Sequence, residues 1–281
     1  MPIFTAATAR AQRCVKASLH LCAAICLLLA AGCTSVVPMG ESSDASSQTA
    51  ASEKFVWADG KSWQTYRLPG KQPTVFSPVR MDGRDAMLAV ASASASMLRQ
   101  NLRISANELQ QVRFSWKVPQ LIEEADMALR ELDDAPVRIV LAFEGDRSTF
   151  STKNAMLSEL SRAITGEELP YATLMYVWSK KHPAGTVITN ARTDRIRKIV
   201  IESGTKNLGQ WLDYERDIKA DFERAFGEAP GALVGMALMT DTDNTRTKTK
   251  AYYGPVSMAS MASLTPKVSA AAGPAAPTAK P

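Results

Sequence analysis

Val112-Arg113-Phe114-Ser115-Trp116-Lys117-Val118 and Val137-Arg138-Ile139-Val140-Leu141-Ala142-Phe143 decide the fold class of this chain. In both, large apolar residues fall on every second position, the period of a strand whose successive side chains face opposite sides of a sheet. Each stretch therefore reads as a strand with one strongly buried face. Working outward, strand patterns recur at residues 63–68, 75–78, 86–94, 173–179, 197–202, 233–239 and 250–258, which makes about nine strands in all. Turn-prone stretches such as Met81-Asp82-Gly83 and Pro183-Ala184-Gly185 separate them. Many strands without βαβ alternation predict a mainly β fold, a two-sheet antiparallel β-sandwich of jelly-roll type.

Two stretches depart from the period of two. At residues 155–165, Met156, Leu157, Leu160 and Ile164 fall at helical spacing. At residues 208–226, Trp211, Tyr214, Ile218, Phe222 and Phe226 form one apolar stripe, Glu215 and Lys219 pair at i,i+4, and Gly227 is placed to cap. The second stretch predicts a helix over one mouth or edge of the sandwich.

The N-terminal region carries Arg10, Arg13 and Lys16 with no acidic residue, then an apolar run from about Leu19, and ends Leu29-Ala30-Ala31-Gly32-Cys33. This is the layout of a secretory signal peptide, and its ending resembles a bacterial lipobox, in which cleavage leaves a lipidated cysteine. The resemblance implies a signal peptide over residues 1–32 and lipid on Cys33. Thr34 lacks the aspartate that signals inner-membrane retention, so the expected location is the outer membrane of a diderm cell envelope, facing the periplasm. Residues 33–53, small, polar and aperiodic beyond the cysteine, read as a flexible tether, 54–259 as the domain, and 260–281 as a disordered Ala/Pro-rich tail.

Cleavage changes the inventory. Of the four cysteines, Cys14, Cys22 and Cys26 leave and Cys33 takes lipid, so cysteine zinc sites and disulfides are excluded from the mature chain. His182 is its only histidine. Three of the 33 Lys and Arg precede Cys33, leaving 30 against 28 acidic residues. With no basic run interleaved with aromatics, nucleic acid is not an expected partner.

Several short motifs, in order, carry a resemblance. They are Phe114-Ser115-Trp116-Lys117-Val118, Asp133-Asp134-Ala135-Pro136-Val137-Arg138, Leu174-Met175-Tyr176-Val177-Trp178-Ser179, and Trp211 with Arg216 and Asp217. Phe226-Gly227-Glu228, the run Leu238 to Thr245 and Tyr252-Tyr253-Gly254 complete the set. Together they resemble the bacterial domain-of-unknown-function family numbered 3047, over roughly residues 55–258. The family has no established activity. Its strand pattern is similar to that of galactose-binding-like jelly-roll modules, which implies carbohydrate binding by analogy of fold.

Four sets of residues are candidates for chemistry. Asp241-Thr242-Asp243-Asn244-Thr245 offers alternating oxygens after a strand, a pattern that suits a turn, a Ca²⁺ site on Asp241 and Asp243, or sugar hydroxyls. Asp133 and Asp134 precede the strand bearing Arg138 and suit either a carboxylate–guanidinium pair with Arg138, Arg113 or Arg216, or an acid and base for glycosidic cleavage with Glu144 or Asp146. Tyr176, Trp178 and Tyr252 lie on strands, as ring platforms if exposed and as core if buried. A Ser-His-Asp arrangement would have to use His182, which sits between Lys181 and Pro183 in a loop. The reading that results is a lipid-anchored envelope protein that binds a saccharide or envelope glycan without catalysis and without a required cofactor, calcium aside. The rivals are a polysaccharide hydrolase working through paired carboxylates and a structural lipoprotein that binds another envelope protein.

Overall fold

The computed structural model describes residues 54–56 and 62–258. Cys33 and the expected signal peptide, tether and Ala/Pro-rich tail lie outside the described residues. Fourteen strands and two α-helices make up the described part. The strands are β1 (Lys54–Val56), β2 (Ser62–Arg67), β3 (Val75–Met81), β4 (Arg84–Ser92), β5 (Ala95–Ile104), β6 (Gln111–Lys117) and β7 (Ala135–Phe143). After helix α1 (Thr152–Thr165) come β8 (Ala172–Ser179), β9 (Val187–Thr189), β10 (Ile196–Ser203) and β11 (Trp211–Asp217). Helix α2 (Ile218–Phe226) then leads to β12 (Leu233–Asp241), β13 (Lys248–Tyr253) and β14 (Ser257–Met258).

The strands form the two stacked sheets expected from the alternation. One runs β1-β2-β5-β12-β7-β8-β10-β9, the other β11-β6-β13-β4-β3, with β14 also on β6. Pairing is antiparallel except between β8 and β10, which run parallel because the chain crosses through β9 before returning. Phe114 and Trp116 of β6 meet Ile139, Leu141 and Phe143 of β7, and Leu174, Tyr176 and Trp178 of β8, in one continuous core. The strands that decide the fold are thus the ones that face each other across it.

β7 and β8 are central, and both of their faces are covered. On the outer side Ala135, Val177, Val200, Ile188 and Met127 form a second, smaller apolar cluster beneath the segment 119–134. Burial on both faces makes the outer side of this sheet a place where charged residues must be paired to be tolerated.

The expected long helix is half strand. Residues 211–217 pair along β6, from Trp211 against Lys117 to Asp217 against Gln111, and the helix begins at Ile218. Leu212, Tyr214 and Arg216 are half-buried while Asp213, Glu215 and Asp217 point to solvent, a period of two that the overlapping helical stripe conceals. Asp217 ends the strand and caps the helix, its carboxylate accepting from Ala220 N, and Gly227 closes it at φ 73°.

Helix α1 forms where expected but is turned inside out. Asn154 and Ser158 are the residues it buries, while Met156, Leu160 and Ile164 are 65%, 53% and 59% exposed. Asn154 anchors the helix, donating to Asp194 Oδ1 at 2.7 Å and accepting from Thr193 Oγ1 at 2.8 Å.

Candidate functional site

Most of the residues singled out in sequence converge, but inside the protein. Arg138 projects from the outer face of β7, where Nε and Nη2 donate to the two carboxylate oxygens of Asp241 at 2.8 and 2.9 Å. The same Nη2 reaches Asp133 O at 2.8 Å and Asp133 Oδ1 at 3.2 Å. Asp133 Oδ2 accepts from Lys198 Nζ at 2.7 Å and from Asn190 Nδ2 at 2.9 Å. Lys198 is fully buried and also donates to Met127 O at 2.8 Å. Asp134, equally buried, holds the turn after β12: it accepts from Asn244 Nδ2, Thr245 N and Thr245 Oγ1 at 3.0, 2.6 and 2.7 Å.

The electrostatics follow from this crowding. Burial works against the Asp133 carboxylate, yet the Arg138 and Lys198 cations hold it below the ordinary range. Asp241 is pushed up to about 7, first by full burial and then by the charges of Asp134 and Asp133, against the pull of Arg138. Burial, reinforced by Arg138, brings Lys198 down to about 8. Arg138 loses hydration, but its two carboxylates hold it above its ordinary value.

Asp134, Asp241 and Asp243 could hold a metal ion, since a carboxylate oxygen from each lies within 4.8 Å of the others. The chemistry of the donor set is against it. Asp241 accepts from Arg138 and from Ala135 N, Asp134 from the Asn244–Thr245 turn, and Asp243 faces Lys71 Nζ at 2.5 Å. A cation would have to displace these donors. Of the readings open in sequence, the geometry here is that of a strand-end knot.

The other candidates separate. Tyr176 and Trp178, at 0% and 1% exposure, are core residues and present no ring to a ligand. Tyr176 stacks on Phe114 at 5.5 Å, and Trp178 Nε1 donates to Gly204 O at 3.0 Å. The reason is position: β8 is an inner strand with apolar cover on both sides. Glu144 pairs with Arg103 and Asp146 caps a short 3-10 turn at 147–149, so neither joins Asp133 and Asp134 as acid or base. Arg113 and Arg216 pair with Glu215 and Asp221, leaving Arg138 as the partner of Asp133. The His182 ring faces Asp126 at 2.8 Å.

Tyr252 alone lies on the outer face of the smaller sheet, where the pairing sets Trp211, Lys117, Tyr252 and Leu88 in one row across β11, β6, β13 and β4. Tyr252 is 8% exposed, so only its edge is available. Beside this row an open groove of ≈640 Å³ runs over Ser115, lined by Arg84, Asp85, Arg113, Asp213, Glu215 and Pro255. Arg84 Nη1 donates to both carboxylate oxygens of Asp213, at 2.9 and 3.2 Å, while the guanidinium lies 5.3 Å from the centre of the Trp211 ring. Arg113 Nε donates to Glu215 at 2.6 Å and Lys117 to Asp82 at 2.5 Å. A Cβ on Gly254 would come within 2.0 Å of Ser115 Oγ, so glycine lets the segment after β13 lie this close to Ser115.

Sequence reasoning passed over the groove because its residues come from β4, β6, β11 and the segment after β13, and nothing local announces their meeting. Lys198 left a readable signal. It lies between Ile196 and Val200 on one face of β10, and a lysine flanked by apolar residues on a covered face must be buried and paired.

A family model described as "Protein of unknown function (DUF3047)" matches residues 61–257, and the chain belongs to that family. No curated protein matches the chain. Among solved structures it is similar to the family 11 carbohydrate-binding module of the cellulosomal cellulase Lic26A-Cel5E of Clostridium thermocellum. That match has 9% identity over 70% of this chain and 87% of that one, at TM-score 0.35. It is also similar to the xyloglucanase domain of NopAA, a type three effector from Sinorhizobium fredii, in complex with cellobiose. Here identity is 11% over 75% of this chain and 98% of that one, at TM-score 0.40.

Proposed function

Starting from membership of that family, we propose that this protein is a lipid-anchored component of a bacterial cell envelope that binds a saccharide, without cleaving it, in the groove over Ser115. The observation that carries the proposal is the groove itself, open and rimmed by exposed arginine–carboxylate pairs with the Trp211–Tyr252 row alongside. Exposed guanidinium and carboxylate groups offer donors and acceptors to vicinal hydroxyls. Binding is favoured over hydrolysis because the groove's carboxylates face guanidinium groups: Asp213 that of Arg84, Glu215 that of Arg113, and Asp85 that of Arg80 at 3.3 Å. An acid that must give up a proton to a leaving group works better without a cation at hydrogen-bond distance.

Isothermal titration of the mature chain with a panel of neutral and acidic envelope oligosaccharides tests this. One ligand should bind wild type and lose at least tenfold in affinity to Arg84→Ala. If every oligosaccharide fails, or if binding survives substitution of both Arg84 and Arg113, the reading is wrong. The exposed stripe Met156, Leu160 and Ile164 favours the second reading, an envelope protein as partner, and groove variants would leave such a contact untouched.

A further inference from the structure

Lys198 and Asp133 pair as buried charges must, and Asn190 joins them where neither that pairing nor the groove requires an amide. Lys198 Nζ and Asn190 Nδ2 donate to the same oxygen, Asp133 Oδ2, at 2.7 and 2.9 Å, which holds amine and amide within two hydrogen-bond lengths of each other. Strand register puts them there. Lys198 pairs with Ile188 across β10 and β9, and Asn190, two residues beyond Ile188, falls on the same face. Nζ has two acceptors in the structure, Asp133 Oδ2 and Met127 O. A neutral amine has two N–H groups, so these satisfy it and leave its lone pair free, whereas an ammonium would keep a third N–H in a buried site. On the amide side, Asn190 Oδ1 accepts from Arg192 N at 2.9 Å, which places a backbone donor on the oxygen that gains charge if the carbonyl is attacked.

These groups are a nucleophile, a shared proton carrier and an oxyanion donor around one carboxamide. We propose that Lys198 and Asn190 join in an intramolecular isopeptide bond, with Asp133 as the proton shuttle. Nζ attacks Asn190 Cγ as the free amine and the Nζ–Cγ bond forms. Asp133 takes the proton that Nζ sheds and passes it to Nδ2, the Cγ–Nδ2 bond breaks, and ammonia leaves. No electron is gained or lost and no further reactant enters. The depression of Lys198 toward about 8, caused by burial and the Arg138 charge, keeps part of it in the attacking form near neutral pH. The product ties the edge strand β9 to β10 covalently, and it does so independently of any ligand in the groove.

Peptide mapping of the full chain by mass spectrometry decides this. Trypsin cuts between the two residues after Arg192, Arg195 and Arg197. The Asn190 peptide should nonetheless emerge joined to the Lys198 peptide, with a missed cleavage at Lys198 and a combined mass lower by about 17 Da, one ammonia. A succinimide at Asn190 sheds the same ammonia but leaves two separate peptides, and that result overturns the proposal, as do unlinked peptides of full mass. Lys198→Met and Asn190→Ala should each abolish the joined species. Asn190→Asp should restore it with loss of water instead, and a joined species that persists in Lys198→Met would also refute the assignment.

Discussion

The buried knot around Arg138 and the groove over Ser115 are built from the same chemistry and do opposite things. Each sets guanidinium groups against carboxylates. In the knot the Arg138 and Asp241 side chains are 3% and 4% exposed, and the oxygens of Asp133, Asp134 and Asp241 already receive donors from the protein. In the groove the Arg84 and Asp213 side chains are 45% and 66% exposed, so solvent or a ligand reaches the same kind of pair. Burial, rather than residue type, separates a group that fixes the fold from one that is free to recognise something.

Substitution of Arg138 is the harshest way to test that contrast. Arg138→Met removes the cation while leaving Asp241 and Asp133 buried, and breaking one side of a buried pair costs about 3–5 kcal/mol. The urea midpoint of the variant should fall accordingly, whereas Arg84→Ala should move it by less than about 1 kcal/mol. Equal losses from the two would mean that the groove pair is structural as well.

The second test is of acid–base sign. Asp241 has a folded-state value of about 7 against an ordinary 3.8, so between those pH values the native state binds a proton that the unfolded chain has released. Its contribution to stability is therefore full below the ordinary value and is lost as pH rises through about 7, with a slope of up to about 1.4 kcal/mol per pH unit. Unfolding curves of wild type and Asp241→Asn between pH 4 and pH 7 should diverge with that sign. A wild-type slope that Asp241→Asn leaves unchanged would assign the titration elsewhere.

What could be read from sequence tracks the same distinction. The sandwich was legible because β6 and β7 alternate cleanly, and alternation reports one buried face. Asp133-Asp134 before Arg138, and Asp241 to Thr245, were legible as a charged cluster, yet their role was not, since the register that brings β12 beside β7 decides whether those carboxylates meet a guanidinium or water. The strand at Trp211–Asp217 was hidden because its period of two runs directly into the helix behind it, and one stripe fits both. The groove was invisible for a simpler reason: Arg84 and Asp213 are 129 residues apart.

The groove supplies the third and smaller test. The Arg84–Asp213 pair is exposed, so its contribution to stability is small, and its use must show in binding. Arg84→Ala and Asp213→Ala should each melt close to wild type while weakening the saccharide that binds in the groove by tenfold or more, with the double variant little worse than either single one, since the two groups act as one pair. Additive losses would mean that each side chain contacts the ligand by itself.

The least effect on folding is expected from the surface that looks most hydrophobic. Met156, Leu160 and Ile164 face outward on α1 because the helix is held by Asn154 and Ser158 on its other side, so removing them should empty no core. Glutamine keeps helix propensity close to that of methionine and leucine. The triple variant Met156→Gln, Leu160→Gln, Ile164→Gln should accordingly stay within about 0.5 kcal/mol of wild type, or roughly 2 °C in melting midpoint. A drop of several degrees would show that the stripe is covered within the chain itself. An unchanged midpoint, with saccharide affinity also unchanged, would leave α1 and the groove as two independent surfaces on one sandwich, each open to a partner that the knot between β7 and β12 can never meet.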